Sequence, residues 1–352
     1  MVVLHDLASV FLNKLTVMSK GQWEFFPAFH EPEEFEQDSS AEDIVYPKES
    51  GNPNVTEPRR VIIRPQNNAN YFIDGVEGYA IVGYVSKCAK EPKGAWPIVL
   101  GDYGVSCGEL HKDVFKIVEY AQGYTLAYPE GFDPEFLRAI IKDSSLRRQT
   151  ICLRMYKDED WRKAIGIGRE EIERVFLDSI VDNGKGISYS VIIDGYNSII
   201  KTKSDTDNER YDADRIIGIC KKFNLYRLSK MHKGLSQEIA ALCNGNKMYT
   251  GLYQDTKAGL WLWFLKLRNN PDLNWDRATS DIVQCVITGN VQPNDDVIIQ
   301  WNKKIERFAS PTCYGLDRQR WRTHFYPIYL TELYGKQMRN TNYLNMLAYG
   351  EK

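Results

Sequence analysis

The sequence lacks the cysteine and histidine patterns that hold metals or cross-link a fold. Its seven cysteines occur singly, without a CxxC pair, and its five histidines form no HxH, HxxxH or HExxH spacing. A zinc site or a disulfide framework is therefore not expected, because both need clustered ligands or paired thiols. Isolated cysteines are typical of a reducing compartment, and we predict a cytoplasmic protein.

Membrane-spanning and nucleotide-binding signatures are also missing. No apolar run approaches the ~20 residues needed to cross a bilayer, and the N-terminus has no basic stretch followed by an apolar core. Gly166 and Gly168 lack the third glycine of a dinucleotide fingerprint, and no Ser or Thr follows Lys185 as it would in a phosphate-binding loop. The chain itself is not expected to hydrolyse ATP.

What is present is an ordinary globular composition. The 352 residues are 43% hydrophobic and 26% charged, and 45 basic against 47 acidic side chains leave a net charge of -2. This balance argues against a protein that coats nucleic acid over its whole surface, although it allows a local basic groove. We divide the chain into an N-terminal part, 1–58, and a main domain, 59–352.

The N-terminal part combines a helix with an acidic stretch. Apolar residues recur at helical spacing from Leu4 to Leu15, which predicts an amphipathic helix. Residues 30–58 are rich in acidic side chains and proline, which indicates an irregular connector. An apolar helix on such a connector suits an arm that reaches a second copy, so we predict a homodimer. The alternative is that the helix belongs to the core.

The main domain begins with strands and then alternates helices with strands. This order indicates an α/β fold with a mixed sheet flanked by helices. Residues 70–85 are predicted to form a hairpin that turns from Gly75 onward. Residues 109–122 and 211–222 are predicted to be helical, and 225–228 to be a strand.

Two aspartates share one context, an apolar strand that ends in Asp-Gly. Asp74 closes the segment YFIDG, and Asp194 closes the segment VIIDG. A carboxylate at the carboxyl end of a buried strand lies where α/β folds place ligands, and the glycine lets the chain turn there. These two aspartates are therefore candidate metal ligands. The alternative is that Asp-Gly is only a common turn dipeptide.

A third carboxylate is predicted on the helix at 169–181. Glu173 falls inside the broad apolar sector of this helix, among Ile172, Val175, Phe176, Leu177 and Ile180. A buried charge is costly unless it is paired or bound to a metal, so Glu173 is the third candidate ligand and Glu171 the second choice. The alternative is an ion pair with a nearby Arg or Lys. Carboxylate ligands without His or Cys favour Mg²⁺ or Mn²⁺, and two such ions can support phosphodiester cleavage.

The order of these segments resembles the NurA nucleases. The segments are the first strand with Asp-Gly, a helix with a buried Glu, IIDGYNSI, LYRLSK, an aromatic strand and HFYPIYLTEL, spread over about 60 to 345. The resemblance implies an RNase H-like core with the acidic site of a metal-dependent DNA nuclease. It also implies a HerA-like hexameric ATPase as partner, and a role in end resection or anti-phage defence. The alternatives are a PIWI-like domain and an inactive nucleic-acid-binding assembly subunit.

A basic and aromatic segment near the C-terminus is the candidate DNA contact. Arg318, Arg320 and Arg322 alternate, so an extended chain would place them on one side, with Tyr326 nearby. Basic groups neutralise phosphates and aromatic rings stack on bases. By the resemblance, Lys230 of LYRLSK is placed to hold a phosphate near the metals. The alternative for all of these is an ordinary solvated surface.

Overall fold

A computed structural model describes most of the main domain and a short N-terminal segment. The described residues are 6–20, 22–27, 61–87, 94–144, 146, 149, 151–157, 160–195, 212–221, 223–245, 247–256, 259–267, 281–289, 292–309, 325–339 and 344. The predicted acidic connector at 30–58 lies outside them.

Strands and helices alternate through these ranges after an initial run of long strands. The strands are β1 (Trp23–Pro27), β2 (Ala69–Lys87), β3 (Trp96–His111), β4 (Val114–Pro129), β5 (Ile151–Tyr156), β6 (Tyr189–Asp194), β7 (Ile216–Cys220), β8 (Tyr253–Asp255), β9 (Leu260–Lys266) and β10 (Ile282–Thr288). The helices are α1 (Leu7–Met18), α2 (Pro134–Asp143), α3 (Trp161–Asn183), α4 (Leu225–Met231), α5 (Leu235–Cys243), α6 (Asp295–Ala309) and α7 (Tyr326–Met338). None of the helices in the described part of the chain is long and apolar enough to cross a membrane.

All ten strands belong to one mixed sheet. Its order is β5-β4-β3-β2-β6-β7-β10-β9-β8, and β1 pairs with β2. The long strands β2, β3 and β4 form an antiparallel meander, whereas β6 and β7 run parallel to β2. The mixed α/β sheet flanked by helices, predicted from the sequence, is confirmed: an antiparallel meander is extended by a parallel pair of strands.

Helices cover both faces of the central strands. On one face, Phe176 and Leu177 of α3 pack in one core with Ile73 of β2 and Ile193 of β6. On the other face, α6 and α7 pack over Phe72, in a core that also includes Ile192, Ile219, Trp301 and Ile328. Because side chains alternate along a strand, this part of β2 presents odd-numbered residues to α3 and even-numbered residues to α7.

The hairpin predicted at 70–85 is wrong, because β2 continues through it without a turn. Gly75 is needed for close packing instead. A Cβ atom on Gly75 would overlap Glu173 Oε1 and lie 2.7 Å from Arg169 Cγ. The second Asp-Gly pair does turn, since Gly195 has a φ of 112° in the left-handed region that favours glycine. The same dipeptide thus serves two different purposes in one chain.

Three other local predictions are also wrong. Residues 109–122 form the end of β3 and part of β4, joined by a turn in which Lys112 and Asp113 have positive φ. Residues 216–220 of the predicted helix at 211–222 form β7, and the predicted strand at 225–228 lies in α4. Pairing with neighbouring strands overrides the helical pattern of the first two segments, whereas the third segment forms a helix instead of pairing as a strand.

Candidate functional site

Asp74 and Asp194 lie side by side on neighbouring parallel strands. In the register of β2 and β6, Ile73 is paired with Ile193, so the following aspartates stand at the same level. Asp194 is the last residue of β6, and the amide of Gly195 turns to donate to Ile219 O at 2.7 Å. Asp74 is 4% exposed. The register therefore brings the two aspartates to the same level, with Asp194 at the carboxyl end of β6 and Asp74 within β2. The prediction that Asp74 ends its strand is wrong, because β2 continues to Lys87 as the partner of β3.

The next parallel strand adds a cation that sequence analysis missed. Lys221 directly follows β7, and its Nζ lies 2.5 Å from Asp194 Oδ2. The Lys221 side chain is 15% exposed. The signal that could have found it is the one used for the aspartates, a charged residue directly after an apolar strand. The signal is hidden because the local pattern of 211–222 predicts a helix there.

A further carboxylate, also missed, comes from α7. Asp74 is paired across the sheet with Ser106 of β3, whose hydroxyl donates to Thr331 O of α7 at 2.6 Å. The residue after Thr331 is Glu332, whose Oε1 lies 2.8 Å from Lys336 Nζ. The hydrogen bond from Ser106 thus holds the acidic turn of α7 over the strand segment that carries Asp74.

Glu173 is buried, as its place on the apolar face of the helix predicts, with 1% of its surface exposed. Its Oε1 lies 3.1 Å from Arg169 Nη1, and the same guanidinium nitrogen donates to Gly75 O at 3.2 Å. Arg169 Nε also lies 3.2 Å from Glu77 Oε2. Glu173 therefore packs against the odd-numbered side of β2, opposite the side chain of Asp74, and has the arginine partner that the sequence left as its alternative.

The charges of the cluster act on one another across β2. Burial, followed by the charge of Asp194, raises the pKa of Asp74 well above its ordinary value, and Lys221 opposes the rise. Burial raises the pKa of Glu173 to about 8 despite Arg169. Burial alone would lower the pKa of Lys221, but Asp194, Asp74 and Glu332 together raise it. The part of the sheet around Asp74 and Asp194 is thus a strongly acidic environment.

Known proteins give only distant matches. No family model and no curated protein sequence matches the chain. Among solved structures it is similar to the NurA nuclease from Sulfolobus solfataricus, with 11% identity, 79% of this chain and 80% of that chain covered, and a TM-score of 0.38. A second NurA structure matches with 9% identity, 79% and 56% coverage, and a TM-score of 0.14. Because these sequence identities and TM-scores are low, the function has to be argued from the side chains at the site.

The donor chemistry of the site suits a hard divalent ion. Asp74 Oδ2 is buried and has no hydrogen-bond partner, and the neighbouring donors are carboxylates, which Mg²⁺ and Mn²⁺ prefer. Within the described ranges, however, no three His, Cys, Asp or Glu side chains are grouped closely enough to hold an ion as they stand. Asp194 is paired with Lys221 and Glu173 with Arg169. An ion would therefore have to take Asp194 from Lys221.

The remaining candidates lie apart from this cluster or outside the described residues. Glu171 forms an ion pair with Arg154 of β5. Lys230 lies in α4 rather than after a strand, with Nζ 4.1 Å from the centre of the Tyr226 ring. Tyr326 is the first residue of α7 and is 40% exposed. The described ranges do not include Arg318, Arg320 and Arg322.

Proposed function

We propose that the chain is a NurA-type nuclease that hydrolyses DNA phosphodiester bonds with Mg²⁺ or Mn²⁺. Asp74 and Asp194 are the proposed ligands. Glu173, which the sequence predicts as the third ligand, lies across β2 in an ion pair with Arg169, and Glu171 is paired with Arg154, so the proposed set includes neither. The single observation that carries the proposal is the buried Asp74 Oδ2, which has no hydrogen-bond partner and lies beside Asp194 where β6 ends next to β2. Bound divalent ions in such a site activate water and stabilise the leaving oxygen.

The chain's own residues hold the negative charge in place and supply a cation. The sheet register fixes the spacing of Asp74 and Asp194, and Arg169 keeps Glu173 against Gly75. Lys221 is placed beside Asp194, so its ammonium group can pass from that carboxylate to a phosphate oxygen of the substrate. Lysine is suited to this role because it acts as a compact point charge on a flexible stem.

The DNA strand is proposed to run along α7 and the segment before it. Tyr326, at the exposed start of α7, is available to stack on a base, and Arg318, Arg320 and Arg322 precede it in sequence. Lys230 is the proposed phosphate contact from α4. Replacing the three arginines by glutamine should weaken DNA binding and lower the slope of log affinity against log salt by roughly 2–3. An unchanged slope would remove them from the contact.

The proposed partners are a HerA-like hexameric ATPase and a second copy of this chain, in end resection or anti-phage defence. The sequence resemblance supports both partners. The sequence also lacks a phosphate-binding loop, so ATP hydrolysis would be carried out by the ATPase partner. Light scattering on the purified chain tests the dimer, and a mass near 41 kDa would contradict it.

The test of the activity is cleavage of linear DNA, with and without the ATPase partner. Cleavage should require Mn²⁺ or Mg²⁺ and stop with chelator. Asp194→Asn should abolish it, because the amide keeps the shape and loses the charge that holds the ion. The matched control is Asp214→Asn, which changes an exposed aspartate before the opposite end of β7. If Asp194→Asn cuts as well as the unaltered chain, this site is not the nuclease site.

A second candidate function is a nucleic-acid-binding assembly subunit without catalysis. The observation that favours it is that Lys221 already pairs with Asp194, one of the two proposed ligands. In the same experiment this candidate predicts salt-dependent DNA binding without cleavage under any metal, even with the ATPase present.

A further inference from the structure

Helix α4 contributes little to the core and presents an aromatic ring to solvent. None of its seven residues is buried, whereas the next helix, α5, buries Leu235, Ile239 and Leu242. No aromatic side chain in the described ranges is more exposed than Tyr226 of α4, at 71%. A single exposed ring is common on protein surfaces, so its meaning depends on what surrounds it.

One face of the Tyr226 ring is occupied by a cation from the same helix. The Nζ atom of Lys230, one turn later, lies 4.1 Å from the ring centre. The negative face of the ring attracts an ammonium group, so this contact favours one orientation of the ring. Because Tyr226 remains largely exposed, the rest of the ring is open to a flat ligand.

The segment that carries this ring has charges of one sign. From Lys221 to Gly234 the sequence contains five Lys or Arg residues and neither Asp nor Glu, in a chain with 47 acidic and 45 basic residues. A segment of this kind attracts a polyanion. Basic side chains combined with an aromatic ring are also the means by which proteins hold single strands of nucleic acid. The surroundings of Tyr226 therefore favour a nucleic acid strand as its ligand.

Tyr226 is also close to the proposed metal site along the chain. Lys221 directly follows β7 and pairs with Asp194, and Tyr226 is five residues further on. An extended chain spans no more than ~3.6 Å per residue, so the Cα atoms of Lys221 and Tyr226 are at most ~18 Å apart. A stacked strand advances ~3.4 Å per nucleotide. The ring is thus within about five nucleotides of a phosphate bound beside Lys221.

We infer that Tyr226 is a stacking site for an unpaired base of the substrate strand, and that Lys230 holds the ring from its other face. The inference rests on the proposed function. It adds a subsite that contacts a base instead of a phosphate, and it gives Lys230 a role besides the proposed phosphate contact. A base stacked on Tyr226 cannot be paired, so the strand has to be single at that position.

The experiment measures how tightly the full chain binds a single-stranded DNA oligonucleotide in chelator, where no cleavage occurs. Tyr226→Ala should weaken binding about tenfold because it removes the stacking of one base, whereas Tyr226→Phe keeps the ring and should stay within about twofold. The matched control is Phe26→Ala. Phe26 is 49% exposed and pairs with Tyr84, ten residues along β2 from Asp74 and therefore about 33 Å away. This control should bind the oligonucleotide within about twofold of the unaltered chain.

A second measurement separates stacking from phosphate contacts. The same chains are titrated with a strand of equal length that has the sugar-phosphate backbone but no bases. The ratio of the two affinities reports base contacts alone, and it should fall about tenfold in Tyr226→Ala because the ring and the missing bases belong to the same interaction. Lys230→Gln should weaken binding to both strands, since it removes a positive charge. Thermal unfolding in chelator checks that each variant is folded.

The outcomes separate the inference from the proposed function. If Tyr226→Ala keeps the affinity ratio of the unaltered chain while Asp194→Asn stops cleavage, Tyr226 is not a stacking site and the nuclease proposal stands. If Tyr226→Ala lowers the ratio while Asp194→Asn still cuts, the stacking site stands and the nuclease site is wrong. If Tyr226→Ala binds both strands normally and loses only stimulation by the ATPase, the ring contacts a protein and the inference is wrong.

Discussion

The two sides of β2 carry charged clusters of opposite character. On the α3 side, Arg169 lies between Glu77, Glu173 and the carbonyl of Gly75, so one guanidinium group meets each acceptor at 3.1 to 3.2 Å. On the α7 side, the Lys221 ammonium group pairs with Asp194, and the charges of Asp194, Asp74 and Glu332 together raise its pKa.

The two clusters differ in the kind of cation that holds the carboxylates. A guanidinium group has five donors in a fixed plane, so it can satisfy several acceptors and serve as a structural clamp. On the α7 side the Lys221 ammonium group pairs with Asp194, while burial, followed by the charge of Asp194, raises the pKa of Asp74. Substitutions on the two sides should therefore have different effects on stability and activity.

The largest effect is expected from Asp74→Asn on the α7 side. Cleavage should fall about 10³-fold, because charge that stabilises the transition state is lost. In chelator at pH 8, however, the free energy of unfolding should rise by about 1 kcal/mol, since active-site charges are often held at the expense of stability. Asp102→Asn is the control on the same side, because Asp102 is also buried but is paired with Arg339 at 3.0 Å. It should destabilise the fold. A loss of stability in Asp74→Asn would make Asp74 structural.

The next effect is expected from Arg169→Gln on the α3 side. Removing the clamp leaves Glu77 and Glu173 buried without their partner, so urea unfolding should show a loss of about 3–5 kcal/mol. Arg162→Gln is the control on the same helix, where the guanidinium group lies 4.5 Å from the centre of the Trp161 ring. That change should cost about 1 kcal/mol or less. Equal losses of stability in Arg169→Gln and Arg162→Gln would contradict the role of Arg169 as a structural clamp.

Smaller effects on stability, opposite in sign to each other, are expected from two glycine-to-alanine substitutions near Arg169. Gly75→Ala would push a methyl group into Glu173 and Arg169, and should destabilise the fold by about 1–3 kcal/mol. Gly166→Ala in α3 would meet nothing closer than Glu77 Oε2 at 3.6 Å, and should stabilise the helix by about 0.5–1 kcal/mol. Thermal unfolding of both variants measures the pair. A neutral Gly75→Ala would show that Glu173 can move aside.

The most gradual effect, small within any one pH unit, is a pH dependence from Glu173. Its pKa in the fold, about 8, is raised above the ordinary 4.5 mainly by burial. The folded chain therefore binds this proton more tightly than the unfolded chain, so the stability it contributes is complete below pH 4.5 and is lost as the pH rises through 8. Urea unfolding in chelator should show this loss, at most about 1.4 kcal/mol per pH unit. The free energy of unfolding of Glu173→Gln should fall less steeply with pH. Parallel curves for this variant and the unaltered chain would contradict the assignment of the pH dependence to Glu173.

The sequence was most informative where apolar runs end in a charged residue. The segment VIIDG correctly predicted a buried strand followed by a turn, and the apolar sector of α3 correctly predicted that Glu173 is buried. It failed at the first Asp-Gly pair, where Gly75 lies within a 19-residue strand, because a glycine needed for close packing resembles a glycine needed for a turn. Lys221 and Glu332 were missed because β7 and the path of α7 depend on pairing and packing far along the chain.

By itself the sequence determined the mixed α/β class and two of the acidic residues at the site, because strand and helix patterns and the cost of burying charge are local properties. Only the tertiary structure decided that Asp74 and Asp194 stand at the same level, that Glu173 lies across β2 from Asp74, and that Lys221 and Glu332 join them. Strand register and helix docking set those positions. Both depend on contacts between residues more than a hundred positions apart, such as Ser106 with Thr331.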